Sequence, residues 1–414
     1  MLYIYTLPEM EAVCMRRLLI TVFMNLFFIL VLHQSVSLLI RDFISSVSLS
    51  YIEKGIIYSA HYFSAVFSSI LIISTKAKNM NFQFYLWFII AMINFALHIP
   101  FKPSFGQVIM LAALGGLAFG VGFPFSFSFF AESISVEKRG RVGSIALLAS
   151  GLFSTLFTFL LKLLKFGELM VFLTCFAVVG VALLRFLNPS RTKCERKIAH
   201  PYVTVLADRH YHLYLIPWII FCAIDALEVP ILKFYLTQTY GSAFEELLII
   251  IYTFITSFSF ISSGFLLDHY GRRKTLISGF IILGVAYAII GIAAQLSLSW
   301  YIYFVLYGLA SALFITIYTM VIWGDLSPEG LTEGYYVLGL LPFFVVSALS
   351  EFTIPHVLQI PVSAAFSFAS FFLFLAVFPL MFAPETLPEK TLRERELKSY
   401  IEKAKKVREK FTKG

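Results

Sequence analysis

The sequence is a succession of long apolar runs separated by short polar connections. Each run continues for about 20 residues, the length that an α-helix needs to cross the hydrocarbon core of a bilayer. The pattern therefore predicts an all-α membrane protein with twelve transmembrane helices. The predicted spans lie near residues 18–40, 51–74, 82–99, 106–130, 143–164, 168–187, 212–237, 245–267, 275–294, 299–323, 335–358 and 362–383.

The composition agrees with this pattern. Of the 414 residues, 59% are hydrophobic and only 14% are charged, whereas a soluble chain would be about 25% charged. A transmembrane β-barrel would show short segments of alternating polarity, and continuous runs favour helices instead. The four cysteines are scattered without metal-ligand spacing, so we expect no disulfide, no metal and no cofactor. The first run exceeds the core of about 7–15 residues of a signal peptide, and we expect it to remain as the first span.

The net charge of +8 comes from lysines and arginines that are unevenly distributed. If both termini face the cytoplasm, 26 of the 32 basic residues fall on the cytoplasmic side. This bias follows the positive-inside rule, and it explains the charge without a nucleic-acid partner. We therefore predict a multi-pass protein of the plasma membrane with both termini cytoplasmic. The basic tail is expected to lie on the anionic inner leaflet of the lipid bilayer.

The connection between the eighth and ninth predicted spans has a distinctive pattern. A helix ends near Asp268, Gly271 permits a tight reversal, and three cations open the next helix. The string resembles the signature loop of the major facilitator superfamily of transporters, Gly-x-Leu-x-Asp-x-x-Gly-Arg-Arg/Lys. The residues of this gating motif are Gly264, Asp268, Gly271, Arg272, Arg273 and Lys274.

A second copy of this loop is expected one half-length earlier, because such transporters are built from repeats. A shift of 195 residues places Ile73 at the position of Asp268 and Lys76 at the position of Gly271, so this copy keeps only its basic character. We predict the major facilitator fold, with two pseudo-symmetric six-helix bundles. The predicted divisions are an N-terminal half at 1–188, a cytoplasmic linker at 189–211, a C-terminal half at 212–386 and a basic cytoplasmic tail at 387–414.

Two further junctions resemble the sugar-porter branch of the same superfamily. Residues 131–141, with their Ala-Glu and Arg-Gly pairs, resemble the loop after the fourth helix. Residues 384–386, Pro-Glu-Thr, resemble the end of the last helix. Glu132 also aligns with Asp325 at a shift of 193 residues, which supports the repeat. The resemblance suggests that the transported solute is a sugar or a related metabolite.

The resemblance also implies a gating role for Asp268. In family members the matching aspartate contacts the N-terminus of helix eleven, where a carboxylate contributes about 0.3–1 kcal/mol when exposed and about 2 kcal/mol when partly buried. The loop at 324–334 carries Asp325, Glu329 and Glu333 without lysine or arginine. We expect these acids to pair with the three cations of the signature loop, although the cations could instead serve only to anchor the topology. The other residues assigned to this inner-face pairing are Glu132, Arg139 and Arg141.

Span seven places two carboxylates inside the membrane. Asp225 and Glu228 are three residues apart and therefore lie on one helical face near mid-span. An ionisable group at this depth costs at least about 2.5–3.5 kcal/mol, so it normally faces a cavity or a partner. Two carboxylates this close do not both ionise easily, which makes one a candidate proton carrier and the other a candidate ligand for a polar or cationic substrate. The alternative is a structural pair between either acid and Lys233.

Other polar residues of the spans are candidates for proton or substrate binding. Glu351 lies in span eleven with His356 near its end, while His33 and Gln34 lie in span one and His61 in span two. Histidine titrates near neutrality and can relay protons, but a lone histidine is more often a hydrogen-bonded packing residue. The glycines of span four suit either helix motion or tight packing. Aromatic residues that could stack on a sugar ring are Tyr252, Tyr303, Tyr307, Tyr318 and Trp323.

These observations predict a secondary transporter, not an enzyme. Substrate would bind between the two halves. As the halves rock, the binding site would be exposed to each side of the membrane in turn. We expect proton-coupled symport of a sugar or related small molecule by a monomer. The alternatives are a proton-coupled exporter of organic cations or drugs, and a membrane sensor that transports nothing. Neither a nucleophile motif nor a nucleotide-binding P-loop is present in the sequence, which argues against an enzyme and against an ATP-driven pump.

Overall fold

The computed structural model describes residues 7–74, 80–187, 201–388 and 397. The degenerate loop copy around Lys76, most of the predicted linker and nearly all of the predicted tail lie outside these residues. The first helix set consists of six helices. They are α1 (Leu7–Ser46), α2 (Tyr51–Ser74), α3 (Met80–His98), α4 (Phe105–Ser133), α5 (Arg139–Leu163) and α6 (Phe166–Leu187), with a 3-10 turn at Val136–Lys138.

The second helix set follows a short helix, α7 (Pro201–Ala207). Its members are α8 (Arg209–Tyr240), α9 (Ser242–Tyr270), α10 (Arg272–Ala293), α11 (Ser297–Ile315), α12 (Ile322–Leu326), α13 (Thr332–Val357), α14 (Val362–Leu375) and α15 (Val377–Phe382). A π-helical stretch at Thr316–Val321 joins α11 to α12, so that these form one span. The helices α14 and α15 likewise form one span.

The prediction of twelve helical spans is confirmed. In the described part of the chain, eleven spans are long and apolar enough to cross a membrane, and α3, apolar over Tyr85–His98, adds the twelfth. The helix α1 extends beyond the predicted 18–40 at both ends. Hydropathy marks only the part of a helix that lies in hydrocarbon, whereas the hydrogen-bonded helix continues into its polar flanks.

The helix α4 is the centre of the first set. It is buried over most of its length and packs on α1, α2 and α3. Its glycines allow this, because a Cβ atom at Gly120 would overlap the carbonyl oxygen of Ala65 and the hydroxyl of Ser68 on α2. Of the two interpretations of the span-four glycines, tight packing is the one that this contact supports.

Another face of α4 meets the second helix set. Phe119, Phe123 and Phe127 recur every fourth residue and so share one side of the helix. The ring of Phe123 lies 5.5 Å from that of Phe344 on α13, and the ring of Phe127 lies 5.5 Å from that of Tyr336. We call these five residues the aromatic seam. The sets also meet along α2–α13 and α5–α9.

The bundle has two ends, which we name by the signature loop. The motif end holds the connection from α9 to α10 together with the start of α5 and the connection from α12 to α13. The far end holds the connections from α1 to α2, α8 to α9 and α13 to α14.

The close approach of α4 to α2 gives a stability prediction. Gly120→Ala is expected to destabilise the protein by about 1–3 kcal/mol, because the added methyl group collides with backbone of α2. The thermal denaturation midpoint of the purified full chain measures this. Gly151→Ala on α5 is the matched control, since its Cβ meets nothing within 4 Å. Equal midpoints for the two variants would contradict the close contact.

Candidate functional site

The signature loop reverses the chain within one residue. Helix α9 ends at Tyr270, Gly271 has φ of 100°, and α10 begins at Arg272. The left-handed conformation at Gly271 favours glycine. The carboxylate of Glu385 accepts hydrogen bonds from the backbone N–H groups of Arg272 at 2.7 Å and Arg273 at 3.2 Å. Glu385, from the Pro-Glu-Thr sequence, therefore caps the positive end of α10.

Asp268 binds the N-terminus of α5. Its Oδ1 accepts from the backbone N–H of Gly140 at 2.8 Å, and its Oδ2 accepts from the backbone N–H of Arg141 at 2.9 Å. The guanidinium of Arg141 adds a further hydrogen bond of 3.1 Å. The prediction that Asp268 contacts helix eleven is therefore wrong. Helix α9 packs on α5, whereas helix eleven, α13, packs on α2.

A fully buried arginine completes the cluster. The guanidinium of Arg272 donates to Asp268 Oδ1 at 3.1 Å and to Asp325 Oδ2 at 3.0 Å. It also donates to the carbonyl oxygens of Leu267 and Val136. Because Val136 precedes α5 while the other partners belong to the second set, this one side chain ties the two sets together.

Asp325 is shared between two arginines. Its side chain is fully buried, and its Oδ1 accepts from Arg139 at 2.7 Å. Thr386 donates a further hydrogen bond of 3.1 Å to Oδ2. The predicted pairing of the signature cations with this acidic loop thus exists between Arg272 and Asp325.

The other residues assigned to the inner face have different surroundings. Arg273 donates to the carbonyl oxygen of Ala383 at 3.1 Å instead of to an acid. Lys274 and Glu329 are exposed and belong to none of the ion pairs found among the described residues. Glu333 is buried in the first turn of α13, and Glu132 is exposed at the end of α4.

The two acids of span seven lie in a different cluster, on α8. The hydroxyl of Tyr307 on α11 donates to Asp225. Glu228 is 4% exposed, and its Oε2 has no hydrogen-bond partner in the protein. The proposed pairing with Lys233 is wrong, because Lys233 Nζ lies 3.8 Å from Glu245 Oε1 near the far end. Glu228 is therefore buried and Asp225 half-buried, and neither has a basic partner among the described ion pairs.

Tyrosines surround these acids. The ring of Tyr307 stacks on those of Tyr252 at 4.9 Å and Tyr303 at 5.4 Å. Tyr287 on α10 extends the group, 5.3 Å from Tyr303. Sequence reasoning had singled out three of the four as possible stacking residues but missed Tyr287. Its only sequence signal was a hydroxyl within an apolar span. We call Asp225, Glu228 and the four tyrosines the acid–tyrosine cluster.

The first helix set brings together two of the predicted histidines. His61 Nε2 lies 3.4 Å from His33 Nδ1, and His61 Nδ1 lies 3.0 Å from the carbonyl oxygen of Ala112. Gln34, beside His33, accepts a hydrogen bond from Ser154 on α5. The lone-histidine interpretation therefore does not apply to His33 and His61, which form a pair.

The remaining candidates lie towards the far end. Glu351 is half-buried on α13, and His356 is exposed in the last turn of that helix. Near Glu351, α13 packs closely on α2: Ser59 donates to the carbonyl oxygen of Ala348 at 2.8 Å, and Gly55 lies against the ring of Phe352. The described hydrogen bonds join neither Glu351 nor His356 to the acid–tyrosine cluster or to the histidine pair.

Comparison with known proteins identifies the family. A family model described as Major Facilitator Superfamily matches residues 18–331. The chain belongs to the major facilitator superfamily. Its members are membrane transporters of small molecules and not enzymes, so the chain is a multi-pass membrane transporter. A sequence comparison with curated proteins gave no match.

Solved structures of this superfamily share the fold. The human organic anion transporter MFSD10 (TETRAN) has 15% identity and a TM-score of 0.65, with 88% of this chain and 99% of that chain covered. The major facilitator superfamily transporter FucP, in its outward conformation, has 13% identity and a TM-score of 0.66, with coverage of 89% and 98%. At these identities the likeness establishes the major facilitator fold alone.

The buried cluster at the motif end predicts that replacing one carboxylate by an amide strongly lowers the stability of the protein. Asp268→Asn is expected to destabilise the protein by about 3–5 kcal/mol, because it removes one carboxylate from the buried Arg272 and presents an amide N–H group to backbone donors. Thermal denaturation of the purified full chain is the measurement. Glu329→Gln, at an exposed acid of the same end, is the control and should leave the midpoint unchanged. A midpoint for Asp268→Asn equal to that of the control would contradict this account.

Proposed function

We propose that this protein is a proton-coupled secondary active transporter that moves a small polar solute by alternating access. The observation that carries the proposal is Glu228, an acid that is buried within a membrane-spanning helix and has no basic partner among the described residues. A bare carboxylate is costly at this depth, so Glu228 is suited to hold a proton in one state and release it in another. A ligand or a proton drives such a cycle if it binds the two states differently.

The two helix sets are the moving bodies in this proposal. They correspond to the predicted halves at 1–188 and 212–386, joined by the 189–211 linker. The motif end is taken as cytoplasmic because the basic residues concentrate there, which places both termini inside the cell and the tail on the inner leaflet. The ion pairs of Arg139 with Asp325 and of Arg141 with Asp268, which join the two sets, then hold the cytoplasmic side closed. Release of these pairs would accompany opening to the cytoplasm.

The solute is proposed to bind at the acid–tyrosine cluster. Stacked tyrosine rings offer flat apolar faces, and Asp225 offers an acceptor for hydroxyl groups. The hydroxyls of Thr256 and Ser311 are buried beside Tyr252 in the same helix set. This combination suits a sugar or polyol, in agreement with the sugar-porter-like junctions. Symport is the proposed direction of coupling.

An organic cation is the second candidate solute. In the part of the chain that the structure describes, neither acid of the cluster has a basic partner, and aromatic faces attract cations. The same observation disfavours a strongly anionic solute. Export of such a cation in exchange for protons would use the same acids.

We propose the plasma membrane as the location and a monomer as the working unit. A sensor would bind solute in proteoliposomes without any flux.

Proton coupling is tested with Glu228→Gln. For one-proton symport, a pH difference of one unit drives about tenfold accumulation, because both correspond to about 1.36 kcal/mol. A thermal-shift screen of sugars, polyols and organic cations identifies the solute to be used in proteoliposomes. Glu228→Gln is expected to reduce accumulation to about onefold while solute exchange without a gradient persists. Glu246→Gln, at an exposed acid of α9, is the control. Undiminished accumulation by Glu228→Gln would rule out this proton carrier.

The solute class is tested with Asp225→Asn. A hydrogen bond to a charged group contributes about 1.5–3 kcal/mol and a neutral one about 0.5–1.5 kcal/mol. Asparagine keeps an acceptor oxygen for a sugar hydroxyl but has no charge for a cation. We therefore expect Asp225→Asn to weaken binding of a cationic solute by about 10–100-fold and binding of a sugar by about tenfold or less. Binding is measured by calorimetry with the solute identified in the screen. Binding that is unchanged by the substitution would place the solute elsewhere.

A further inference from the structure

We propose that His33 and His61 form one shared proton-binding site in the first helix set, completed by a water molecule held on Asn94. The site is separate from the acid–tyrosine cluster, which lies in the second helix set. Its ability to bind a proton does not depend on the proposed function, although its use in transport does.

The hydrogen bonds of the pair fix its protonation pattern. A carbonyl oxygen only accepts, so His61 Nδ1, 3.0 Å from the oxygen of Ala112, carries a hydrogen. In the neutral ring His61 Nε2 is then an acceptor, and it receives the hydrogen of His33 Nδ1 at 3.4 Å. This leaves His33 Nε2 as the one basic nitrogen of the neutral pair. A proton added there makes His33 an imidazolium whose Nδ1–H remains bound to His61.

The pair accepts only one proton. A second proton would have to enter at His61 Nε2, which faces His33 Nδ1. Two N–H groups would then point at each other between two like charges. The anchoring of His61 on the backbone of α4 prevents the ring from turning away without loss of that hydrogen bond.

A small cavity adjoins the pair between α1, α3 and α4. Its polar walls are His33 and Asn94, and its other walls are apolar side chains such as Leu32 and Trp87. The free space accommodates about one water molecule, which is too little for a solute. Asn94 is fully buried, and its Oδ1 has no partner in the protein although its Nδ2 donates to the oxygen of Leu111. A water molecule can donate one hydrogen to Asn94 Oδ1 and one to His33 Nε2, which satisfies both acceptors.

The charge gained on proton binding lies next to the contact between the helix sets. The His33 ring stacks on Phe119 with centroids 4.0 Å apart, and Phe119 meets Phe344 on α13 at 6.0 Å. An imidazolium on an aromatic face is stabilised by the ring quadrupole. Proton binding therefore acts directly on the aromatic seam.

The charged groups of this region lie beyond the tyrosines that border the pair. From α2 the titratable neighbour is Tyr62, 5.0 Å from His61, with Tyr58 beyond it. Arg41 on α1 and Glu351 on α13 both lie near Tyr58. The elements α3 and α4 present only the uncharged residues already named, and α5 reaches Gln34 through Ser154. The ion pairs of the described residues include neither histidine.

The test is nitrogen NMR of the full chain labelled with 15N-histidine, in lipid vesicles without added solute, between pH 8 and pH 5. At pH 8 we expect both rings in the Nδ1–H form. Within the pair, we expect one imidazolium at pH 5, that of His33, while His61 keeps its Nδ1–H form. His33→Gln and His61→Gln assign the signals, and exposed His356→Asn is the control. Because all eight histidines of the chain carry the label, His33→Asn and His61→Asn provide a second assignment if a glutamine variant fails to fold.

Two results would overturn the proton site: both rings neutral at pH 5, or two imidazolium signals that appear in separate steps. Asn94→Leu tests the water, since it removes the acceptor while it keeps the number and branching of the side-chain heavy atoms. A changed Nε2 shift of His33 is expected in this variant, and an unchanged shift would overturn the water. None of these measurements requires flux, so they stand apart from the Glu228→Gln test of the proposed function.

Discussion

The burial of the Arg272 guanidinium is the constraint on which the motif end of this transporter depends. Removing a guanidinium from water is costly unless its donors are satisfied by acceptors of opposite charge. Asp268, Asp325 and two backbone carbonyls provide these acceptors, and they come from both helix sets. The sets therefore cannot separate here without hydrating or re-pairing a buried charge, and in the proposed cycle this cluster would act as a barrier between conformations.

The two long contacts between the helix sets differ in kind. The α5–α9 contact ends in the charged cluster around Asp268, whereas the α2–α13 contact, as described, rests on aromatic and small residues such as Tyr62, Phe344 and Gly55. The sequence repeat explains this difference, since Ile73 stands where the second copy has its aspartate. An apolar contact can slide without desolvating charge. The resistance to opening is thus concentrated on one side of the pseudo-symmetric fold.

The polar groups inside the membrane also divide between the sets. The second set holds two carboxylates among tyrosines, and the first set holds two imidazoles beside an amide. Each set thus contains titratable groups, and those of the first set lie beside the aromatic seam. In a transporter driven by protons, this arrangement would let charge on each set influence how the sets pack.

The sequence alone determined the twelve spans, the short reversal at Gly271 and the family, because run length and turn chemistry are properties of neighbouring residues. It also predicted that Arg272 would meet Asp325 and that Asp225 and Glu228 would share a face. Only the tertiary structure decided that Asp268 binds α5, that Lys233 pairs with Glu245, that Glu385 caps α10 and that His33 meets His61. These contacts depend on which helices are neighbours and how each is rotated about its axis. Hydropathy does not encode that information when almost every face of a helix is apolar.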